Sequence, residues 1–405
     1  MSKADTDPNT GLNTGPNTGP ADRACAPARI DIFAEAERQM NICNACRYCE
    51  GHCAVFPAME MRLNFTEGDL GYLANLCHDC RACYEHCQYV PPHEFAVNLP
   101  QVLSEVRTLT YTDSAWPTGF GQMFRNNGLV VGIITALALA LFMTGAVALI
   151  DPAALWGRHT GAGAFYAVIP HEVMVWSFGA AFAYALIALG AAVVRFWRQM
   201  GAGVATTGEN AGTGPCLSAT AQALHDGMTL KYMGGANDGS GDGCTYPDET
   251  PSPLRRWCHH LTAGGFMLCF AATSVATLYH YLFGWVAPYA FTSLPVLLGI
   301  TGGIGLIIGP VGLLWLRGRA NPAPGDPGRA GMDAAFITLL LATSVTGLAL
   351  LIWRESAAMG VLLTVHLGIV MGLFLTLPYG KFVHGFLRLA ALARYALEQR
   401  KGAAL

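Results

Sequence analysis

The chain has 405 residues, of which 53% are hydrophobic and only 13% are charged, and its net charge is −3. A soluble domain carries about 25% charged residues, so the composition excludes an ordinary soluble protein and indicates contact with a lipid bilayer. The small net charge, without a cluster of Lys and Arg, predicts that there is no nucleic-acid partner.

The first segment, residues 1–27, is predicted to be a disordered tail. It repeats Asn-Thr-Gly and contains no apolar run, so it cannot offset the entropy of ordering. It also lacks the apolar core of about 7–15 residues that a signal peptide requires. We therefore expect the next segment, residues 28–125, to remain in the cytoplasm, where thiols stay reduced.

Residues 28–125 contain two cysteine runs of identical spacing. The runs "CNACRYCEGHC" (43–53) and "CHDCRACYEHC" (77–87) both read Cys-x2-Cys-x2-Cys-x3-Cys. Three thiolates at this spacing bind one iron–sulfur cube, and the fourth binds the other cube when two runs face each other. Two [4Fe–4S] clusters are predicted, one on Cys43, Cys46, Cys49 and Cys87 and the other on Cys77, Cys80, Cys83 and Cys53. Zinc is the alternative, although zinc sites usually pair two Cys-x2-Cys units across a loop.

The linker between the runs, residues 54–76, carries a helical pattern of Leu70, Leu73 and Leu76. With it, the domain resembles the all-helical ferredoxin domains of heterodisulfide reductases and of succinate dehydrogenase iron–sulfur subunits. The Pro that follows the last Cys in many ferredoxins is absent from both runs. The cysteines outside the runs are predicted to be structural, because free Cys commonly packs as a small hydrophobe: Cys25, Cys216, Cys244, Cys258 and Cys269.

The remainder of the chain contains six apolar stretches, each about as long as the 20 residues that cross a bilayer. They are residues 128–150, 170–195, 262–283, 294–316, 333–353 and 360–379. The predicted fold is all-α, with a helical ferredoxin-like domain followed by a six-helix transmembrane bundle that resembles a b-type cytochrome. The predicted divisions after the ferredoxin domain are helices 1–2 (126–196), a cytoplasmic loop (197–253), helices 3–6 (254–388) and a cytoplasmic tail (389–405).

The orientation is predicted from the basic residues of the loops. The loops at 151–169 and 284–293 hold one Lys or Arg between them, Arg158, whereas the other two loops and the C-terminal tail are basic. Because basic loops stay in the cytoplasm, we expect a multi-pass protein of the cytoplasmic (inner) membrane with both termini in the cytoplasm.

Histidines in and beside the apolar stretches are candidate haem ligands, since ionisable groups within a membrane are usually functional. The third helix carries His259, His260 and His280, and the sixth carries His366 and, beyond it, His384. The two helices run in opposite directions, so His280 lies at the depth of His366, and His259 at that of His384. One or two b haems are predicted on these pairs, as in the gamma subunit of respiratory nitrate reductase. The first choice is the outer pair, His280 with His366; the competing ligands are His171 and His260.

The order of these parts resembles the CitB-like family, of the tricarballylate-utilisation protein B type. The resemblance is carried by the doubled cysteine runs, "YPDETPSPLRRWCHHLTAGGFMLCFAAT", "YHYLFGWVAPYAFTSLPVLLGITGGIGLIIG" and "PYGKFVHGFLRLAAL". It implies a membrane electron-transfer partner of an FAD-dependent tricarballylate dehydrogenase. Electrons from the reduced flavoprotein would pass through the two [4Fe–4S] clusters and haem b to the membrane quinone.

Other functions remain as alternatives. In the first alternative, the protein is a membrane-bound electron donor for metalloenzyme assembly. In the second, it serves another dehydrogenase or reductase complex. A redox sensor is disfavoured because the sequence contains no output domain. A transporter is disfavoured because it would not need the cysteine runs. The sequence leaves open whether the chain, as the electron-transfer subunit of a dehydrogenase system, has quinone reductase activity of its own.

Overall fold

The computed structural model describes residues 20–124, 126–149, 152–200, 213–234, 243–245 and 247–402. Its α-helices in these residues are α1 (Pro20–Cys46), α2 (Val55–Glu60), α3 (Glu67–Leu76), α4 (Ala82–Glu85), α5 (Leu99–Ser114), α6 (Asn127–Leu149), α7 (Pro152–Trp156), α8 (His171–Gln199), α9 (Thr213–Met228), α10 (Leu254–Phe283), α11 (Leu294–Arg319), α12 (Ala330–Trp353), α13 (Met359–Thr376) and α14 (Val383–Gly402). The fold is all-helical, as the sequence predicts. Of the predicted disordered tail, residues 1–19 lie outside the described residues, and α1 already begins at Pro20.

Helices α1–α5 form the cysteine domain around one apolar core. Met40, Phe56, Leu73 and Leu103 lie within it, each at most 2% exposed. The linker between the cysteine runs becomes helical where its sequence offers a capping box. The Thr66 side chain accepts a hydrogen bond from the Asp69 N–H, and the Asp69 carboxylate accepts one from the Thr66 N–H, which satisfies the free N–H groups at the start of α3.

The membrane body contains, within the described residues, six helical segments that are long and apolar enough to cross a bilayer. These are α6, α8, α10, α11, α12 and the segment that starts with α13, and they coincide with the six predicted stretches. Their outward faces carry large apolar side chains such as Leu137, Leu141 and Trp176, which are 65–75% exposed. Such faces suit a lipid surrounding and would be costly in water.

Helices α10 and α11 approach each other through glycines. A Cβ atom added to Gly309 would lie 2.7 Å from the Cys258 carbonyl oxygen, and one added to Gly302 would lie 2.8 Å from the Cys269 sulfur. Any larger residue would therefore push the two backbones apart. Close packing through small residues is a common way for membrane helices to associate, since lipid offers no hydrophobic gain between them.

The sixth apolar stretch does not continue past Pro378 as one helix, because the helix breaks completely there. Helix α13 ends at Thr376, one 3-10 turn spans Leu377–Tyr379, and α14 begins at Val383. Proline lacks the N–H that a continuing helix needs and displaces the preceding residue from helical geometry. As a result α14 leaves the bundle and packs on α3, α8 and α9, across the predicted division at residue 388.

A buried ion-pair network ties α14 into the cysteine domain. The Arg62 guanidinium lies 2.6 Å from Glu398 and 2.8 Å from Asp69, and the Tyr72 hydroxyl donates to Glu398 over 2.9 Å. Arg62, Asp69 and Glu398 are each at most 4% exposed. Buried charges are stable only when they are paired and hydrogen-bonded, so this network fixes α14 against the helix between the two cysteine runs.

Candidate functional site

The two cysteine runs bend in the same place and face each other. Arg47 and Arg81, each directly after the second cysteine of its run, have φ angles of 54° and 68°. A non-glycine residue seldom adopts this left-handed conformation, and here it turns each run back on itself. His52 and His86, each directly before the fourth cysteine of its run, contact each other with 3.1 Å between ring nitrogens. The repeated sequence thus folds into two facing halves.

One cavity of about 240 Å³ is lined by Cys43, Cys46, Cys49 and Cys87, with Cys83 also on its wall. The first three belong to the first run and Cys87 is the last cysteine of the second. Burial raises the pKa of Cys43 to about 12, with further contributions from the nearby Cys87, Cys49 and Cys46. The thiols expected to bind the first cluster thus surround one space, although their role as ligands stays a prediction.

The second predicted set is more deeply buried. Burial raises the pKa of Cys53, and Cys80 and Cys77 raise it further, so the last cysteine of the first run lies beside the start of the second. Cys83 has Cys80, Cys77, Cys53 and Cys49 as electrostatic neighbours and lies between the two sets. Cys77 and Cys80 are 9% and 6% exposed.

The arrangement of the thiols fits clusters. Within the described residues, no three His, Cys, Asp or Glu side chains converge as closely as a single metal ion requires. Thiols spread around a cavity instead match an iron–sulfur cube, which takes one cysteine thiolate at each of four irons. Backbone N–H groups already donate to two of the sulfurs, from Asp79 to Cys77 and from Tyr89 to Cys87, each over 3.4 Å. Such hydrogen bonds tune the potential of a bound cluster.

The second cysteine run is held by segments that border the membrane body. Arg388 of α14 donates to the Cys77 carbonyl over 2.7 Å, and Thr245 of the loop before α10 donates to the Cys80 carbonyl over 3.3 Å. Arg81, inside the run, donates to the Asn321 carbonyl over 2.7 Å. The end of the bundle that contacts the cysteine domain is called the head end below, and the opposite end the far end.

At the head end, His259 of α10 and His384 of α14 come together. Their ring centroids are 6.1 Å apart and their planes are nearly perpendicular, at 89°. Two imidazoles that bind one metal from opposite sides, with bonds of about 2 Å, have centroids roughly 6 Å apart, so the spacing fits an axial pair. The His384 Nδ1–H donates to the Lys381 carbonyl over 2.5 Å, so Nε2 is the nitrogen that would be available to a metal. The competing residue, His260, lies beside Trp257 instead, with ring centroids 6.5 Å apart.

At the far end the histidines are arranged differently. His171 of α8 stacks on His280 of α10, with 4.0 Å between ring centroids and 21° between planes. This is too close for a metal between them, so ligation by either ring would require them to separate. His366 of α13 contacts the Thr346 hydroxyl through Nδ1 over 3.0 Å. The predicted pairing of His280 with His366 stays a prediction.

One side chain links the cysteines to the His pair at the head end. His78, which directly follows Cys77, lines a cavity of about 150 Å³ together with His259 and His384. Burial lowers the pKa of His78 well below its usual value, so the ring is neutral, and its Nδ1–H donates to the Leu76 carbonyl over 2.9 Å. The second cysteine set and the His pair are therefore neighbours.

Two features escaped the sequence reasoning. The first is a group of cations around the His pair, which the spacing of His384 and Arg388, one turn apart on α14, would have indicated in part. The second is a contact between the hydroxyls of Tyr184 and Tyr379, 2.5 Å apart at the head end of the bundle. Nothing in the local sequence connects two tyrosines that lie 195 residues apart.

The remaining cysteines pack as hydrophobes where they are described. Cys244 and Cys258 are buried beside Cys80, Met233 and Leu316, and Cys269 is half-buried. This is the structural role that the sequence predicts for them. The side chains of Cys25 and Cys216 lie outside the described residues.

Comparison with known proteins identifies both parts of the chain. Residues 123–405 match citrate utilization protein B, and residues 36–113 match the Fer4-like domain of the same protein. The chain belongs to the citrate utilization protein B family. It is 50% identical over 373 residues to citrate utilization protein B of Escherichia coli, which covers 91% of this chain and 93% of that protein. No solved structure matches the chain significantly.

Membership of the citrate utilization protein B family confirms the resemblance found in the sequence. The Fer4-like match spans both cysteine runs. The chain is thus a multi-pass membrane protein with a ferredoxin-like domain whose eight run cysteines are consistent with two [4Fe–4S] clusters.

Proposed function

We propose that the protein transfers electrons from a reduced flavoprotein dehydrogenase to the membrane quinone. The observation that carries this proposal is the cavity shared by His78, next to Cys77, and the facing pair His259 and His384. It supports a continuous line from the cysteine domain into the membrane body. The clusters and b haem would supply one-electron carriers when bound. The protein would hold these carriers one after another along this line and would keep water from the inner ones.

The burial of the two cysteine sets supports a direction for this transfer. The first set lies beside the exposed side chains of Tyr48 and His86, where a soluble partner has access. The second set lies against the bundle, with Cys80 only 6% exposed. Electrons would therefore enter at the first set and leave from the second toward the head end of the bundle.

The family resemblance suggests the donor. A tricarballylate dehydrogenase-type flavoprotein would oxidise a small polycarboxylate on FAD and deliver electrons one at a time to the cysteine domain. The name of the Escherichia coli relative, citrate utilization protein B, points to the same class of compounds. On this proposal the carboxylate substrate binds to the flavoprotein and never to this chain.

An apolar cavity supports a lipid-soluble acceptor. It has a volume of about 720 Å³, lies between α6, α8 and α13, and is bordered by the exposed Leu137 and Leu141. At its head end are Tyr184 and Tyr379. Tyr379 donates to the Trp116 carbonyl over 2.9 Å, so Tyr184 donates to the Tyr379 oxygen. By rotating, the Tyr184 hydroxyl would donate instead to a quinone carbonyl.

The proposed location is the cytoplasmic membrane with the cysteine domain inside, as the basic loops suggest. A reporter fused after Leu405 is expected to be active in the cytoplasm, and one inserted near Arg158 is expected to be active outside it. A C-terminus outside the cytoplasm would contradict this orientation and would place the cysteine domain away from a cytoplasmic donor.

The decisive experiment combines analysis and reduction. The detergent-purified protein is expected to hold about eight irons and eight sulfides in clusters, together with b haem. Adding the flavoprotein and its substrate should reduce the haem, and a quinone analogue should reoxidise it. Cys46→Ser and Cys80→Ser should each remove cluster signal from the EPR spectrum, whereas Cys269→Ser should not. Zinc in place of iron, or haem that the flavoprotein does not reduce, would contradict the proposal.

A further inference from the structure

The cavity at the head end carries an unusual excess of positive charge. Six cationic and two anionic side chains line its volume of about 150 Å³. The cationic residues are Arg107, Arg255, Arg317, Arg329, Lys381 and Arg388, and the anionic ones are Asp79 and Asp333. The side chains of Arg255, Arg317 and Lys381 are 19–31% exposed, whereas Arg107 and Arg329 are buried. Excess positive charge at the two buried arginines is unfavourable unless an anion offsets it.

The two acidic residues are already engaged by part of the cationic group. Asp333 lies 2.8 Å from Lys381 and 3.2 Å from Arg317, and Asp79 lies 3.8 Å from Arg255. Their negative charge is thus shared among three cations in direct ion pairs and, without a direct ion pair, with Arg329. Arg107, Arg329 and Arg388 have no ion pair with a carboxylate among the described residues.

Two of these arginines have N–H groups without a hydrogen-bond acceptor among the described residues. Arg107 uses Nε to donate to the Ala74 carbonyl over 2.7 Å, and Arg329 uses one terminal nitrogen to donate to Ser104 over 2.7 Å. Within the described residues, Arg107 Nη2 and Arg329 Nε and Nη2 have no hydrogen-bond partner. The two residues are only 2% and 5% exposed. Buried donors of this kind are costly to leave unpaired, and a guanidinium matches a carboxylate best, through two parallel bonds.

The cavity is small for a whole ligand. Pockets that enclose a drug-sized molecule or a cofactor have volumes of about 300–1,000 Å³, so about 150 Å³ suits the polar end of a larger group. His259 and His384 line the same cavity, at a spacing that fits two axial ligands. The group expected there therefore carries carboxylates and binds metal between two imidazoles.

We infer that this cavity binds the propionate carboxylates of the haem held by His259 and His384, with Arg107 and Arg329 as their main partners. The inference rests on the proposed function, because it requires haem at the head end. Arg107 belongs to the cysteine domain and Arg329 to the turn before α12. The haem would therefore be held jointly by the cysteine domain and the membrane body. A free polycarboxylate has the same chemistry and is the other possible source of the anion.

The test compares haem with its dimethyl ester, in which both propionates are neutral. The full chain, produced in haem-deficient cells, is titrated with each compound and binding is followed by the Soret band. A hydrogen bond to a charged group is worth a factor of about 10–150 in affinity, so wild-type protein is expected to prefer haem by at least about tenfold. Arg329→Gln and Arg107→Gln should each remove most of this preference, and Arg329→Lys should restore part of it.

A matched control separates this effect from general damage. Arg319 stacks on Trp315 near the same end of α11 but does not line the cavity, so Arg319→Gln should keep the full preference. Iron and sulfide content should be unchanged in each variant used. Equal affinity of wild-type protein for haem and diester would overturn the inference alone, as would an Arg329→Gln variant with undiminished preference. A wild-type protein that binds no haem would overturn the haem of the proposed function as well.

A second measurement identifies the source of the carboxylates. Citrate and tricarballylate are added separately to the haem-loaded protein, and thermal unfolding is recorded. If propionates fill the cavity, neither anion should raise the unfolding temperature of wild-type protein. A stabilisation by either anion that Arg329→Gln abolishes would assign the cavity to a free polycarboxylate and overturn the assignment to haem.

Discussion

The two ends of the bundle use the same residue type in different surroundings. At the head end, His259 and His384 face each other at 6.1 Å, one of them oriented by the Lys381 carbonyl. At the far end, His171 and His280 stack at 4.0 Å. Only the head-end pair is already spaced for two axial bonds. A histidine within a membrane helix is therefore a better haem candidate when a second group orients it and a partner faces it.

The largest expected effect comes from removing a histidine at the head end. His259→Ala should lower haem affinity by more than about 100-fold, beyond the 10–100-fold cost of losing a ligand's outer hydrogen-bond partner. Haem per protein, measured as the pyridine haemochrome, reports the loss. The neighbouring variant His260→Ala should keep the wild-type content, because that ring lies beside Trp257 and does not line the head-end cavity.

Haem content of the far-end histidine variants tests whether the haem lies at the far end instead of the head end. If His259→Ala keeps all of the haem while His366→Ala or His280→Ala loses it, the cofactor belongs to the far end. Loss of half of the haem in both His259→Ala and His366→Ala would instead show two haems, one at each end.

The next effect concerns the network that holds α14 at the head end. Glu398→Gln leaves the buried Arg62 with Asp69 as its only carboxylate, so the free energy of unfolding of the cysteine domain should fall by about 3 kcal/mol. Denaturant titration followed by cluster absorbance measures it. Glu35→Gln breaks a pair with Arg38 that is about 42% exposed, and it should cost less than about 1 kcal/mol. Equal losses in the two variants would contradict the role of burial.

Helix packing offers a direct comparison of the two ends. Gly309→Ala, toward the head end of α11, would bring a methyl group 2.7 Å from the Cys258 carbonyl oxygen. Overpacking of this kind should destabilise the bundle by about 1–3 kcal/mol. Gly299→Ala, toward the far end, meets only the Ala272 methyl at 3.9 Å and should be close to neutral. The unfolding temperature in detergent tests both variants. If Gly309→Ala is as close to neutral as Gly299→Ala, the two helices can separate freely at the head end.

The smallest effect is expected at the proposed quinone cavity. Tyr184→Phe removes one hydrogen-bond donor, so the KM for a quinone analogue should rise by a factor of about 2–12, with little change in haem content. Tyr281→Phe, at the exposed far end, is the matched control and should leave KM unchanged. A Tyr281 effect as large as that of Tyr184 would move the quinone cavity to the far end.

The sequence predicts the parts of this molecule that depend on local pattern. Cysteine spacing and apolar length are local, so the ferredoxin-like domain and the six spans follow from residues near one another in the chain. The sequence analysis also places His259 and His384 at one depth, by treating the sixth helix as continuous, and their role as haem ligands stays a prediction. The break at Pro378 shows that the structure brings the rings together in another way, with α14 as a separate helix.

Contacts between residues far apart in the chain could not be predicted from the sequence. Arg62 and Glu398 are 336 positions apart, and neither has a local feature that indicates a buried partner. The cations of the head-end cavity come from α5, α10, α11, α14 and the turns before α12 and α14, so their convergence depends on the whole fold. The pairing of His280 with His366 stays a prediction, since helical periodicity carries no information about which ring a neighbouring helix turns toward it.

The C-terminal helix determines when the cysteine domain can finish folding during synthesis. Leu387, Leu392 and Tyr395 of α14 belong to the same apolar core as Phe56 and Leu73 of the cysteine domain. During synthesis the cysteine domain emerges first, yet its core is complete only after all six spans have entered the membrane and the last helix has left the ribosome. Stable cluster loading should therefore follow translation, and the cysteine domain expressed without α14 should not persist as a soluble ferredoxin.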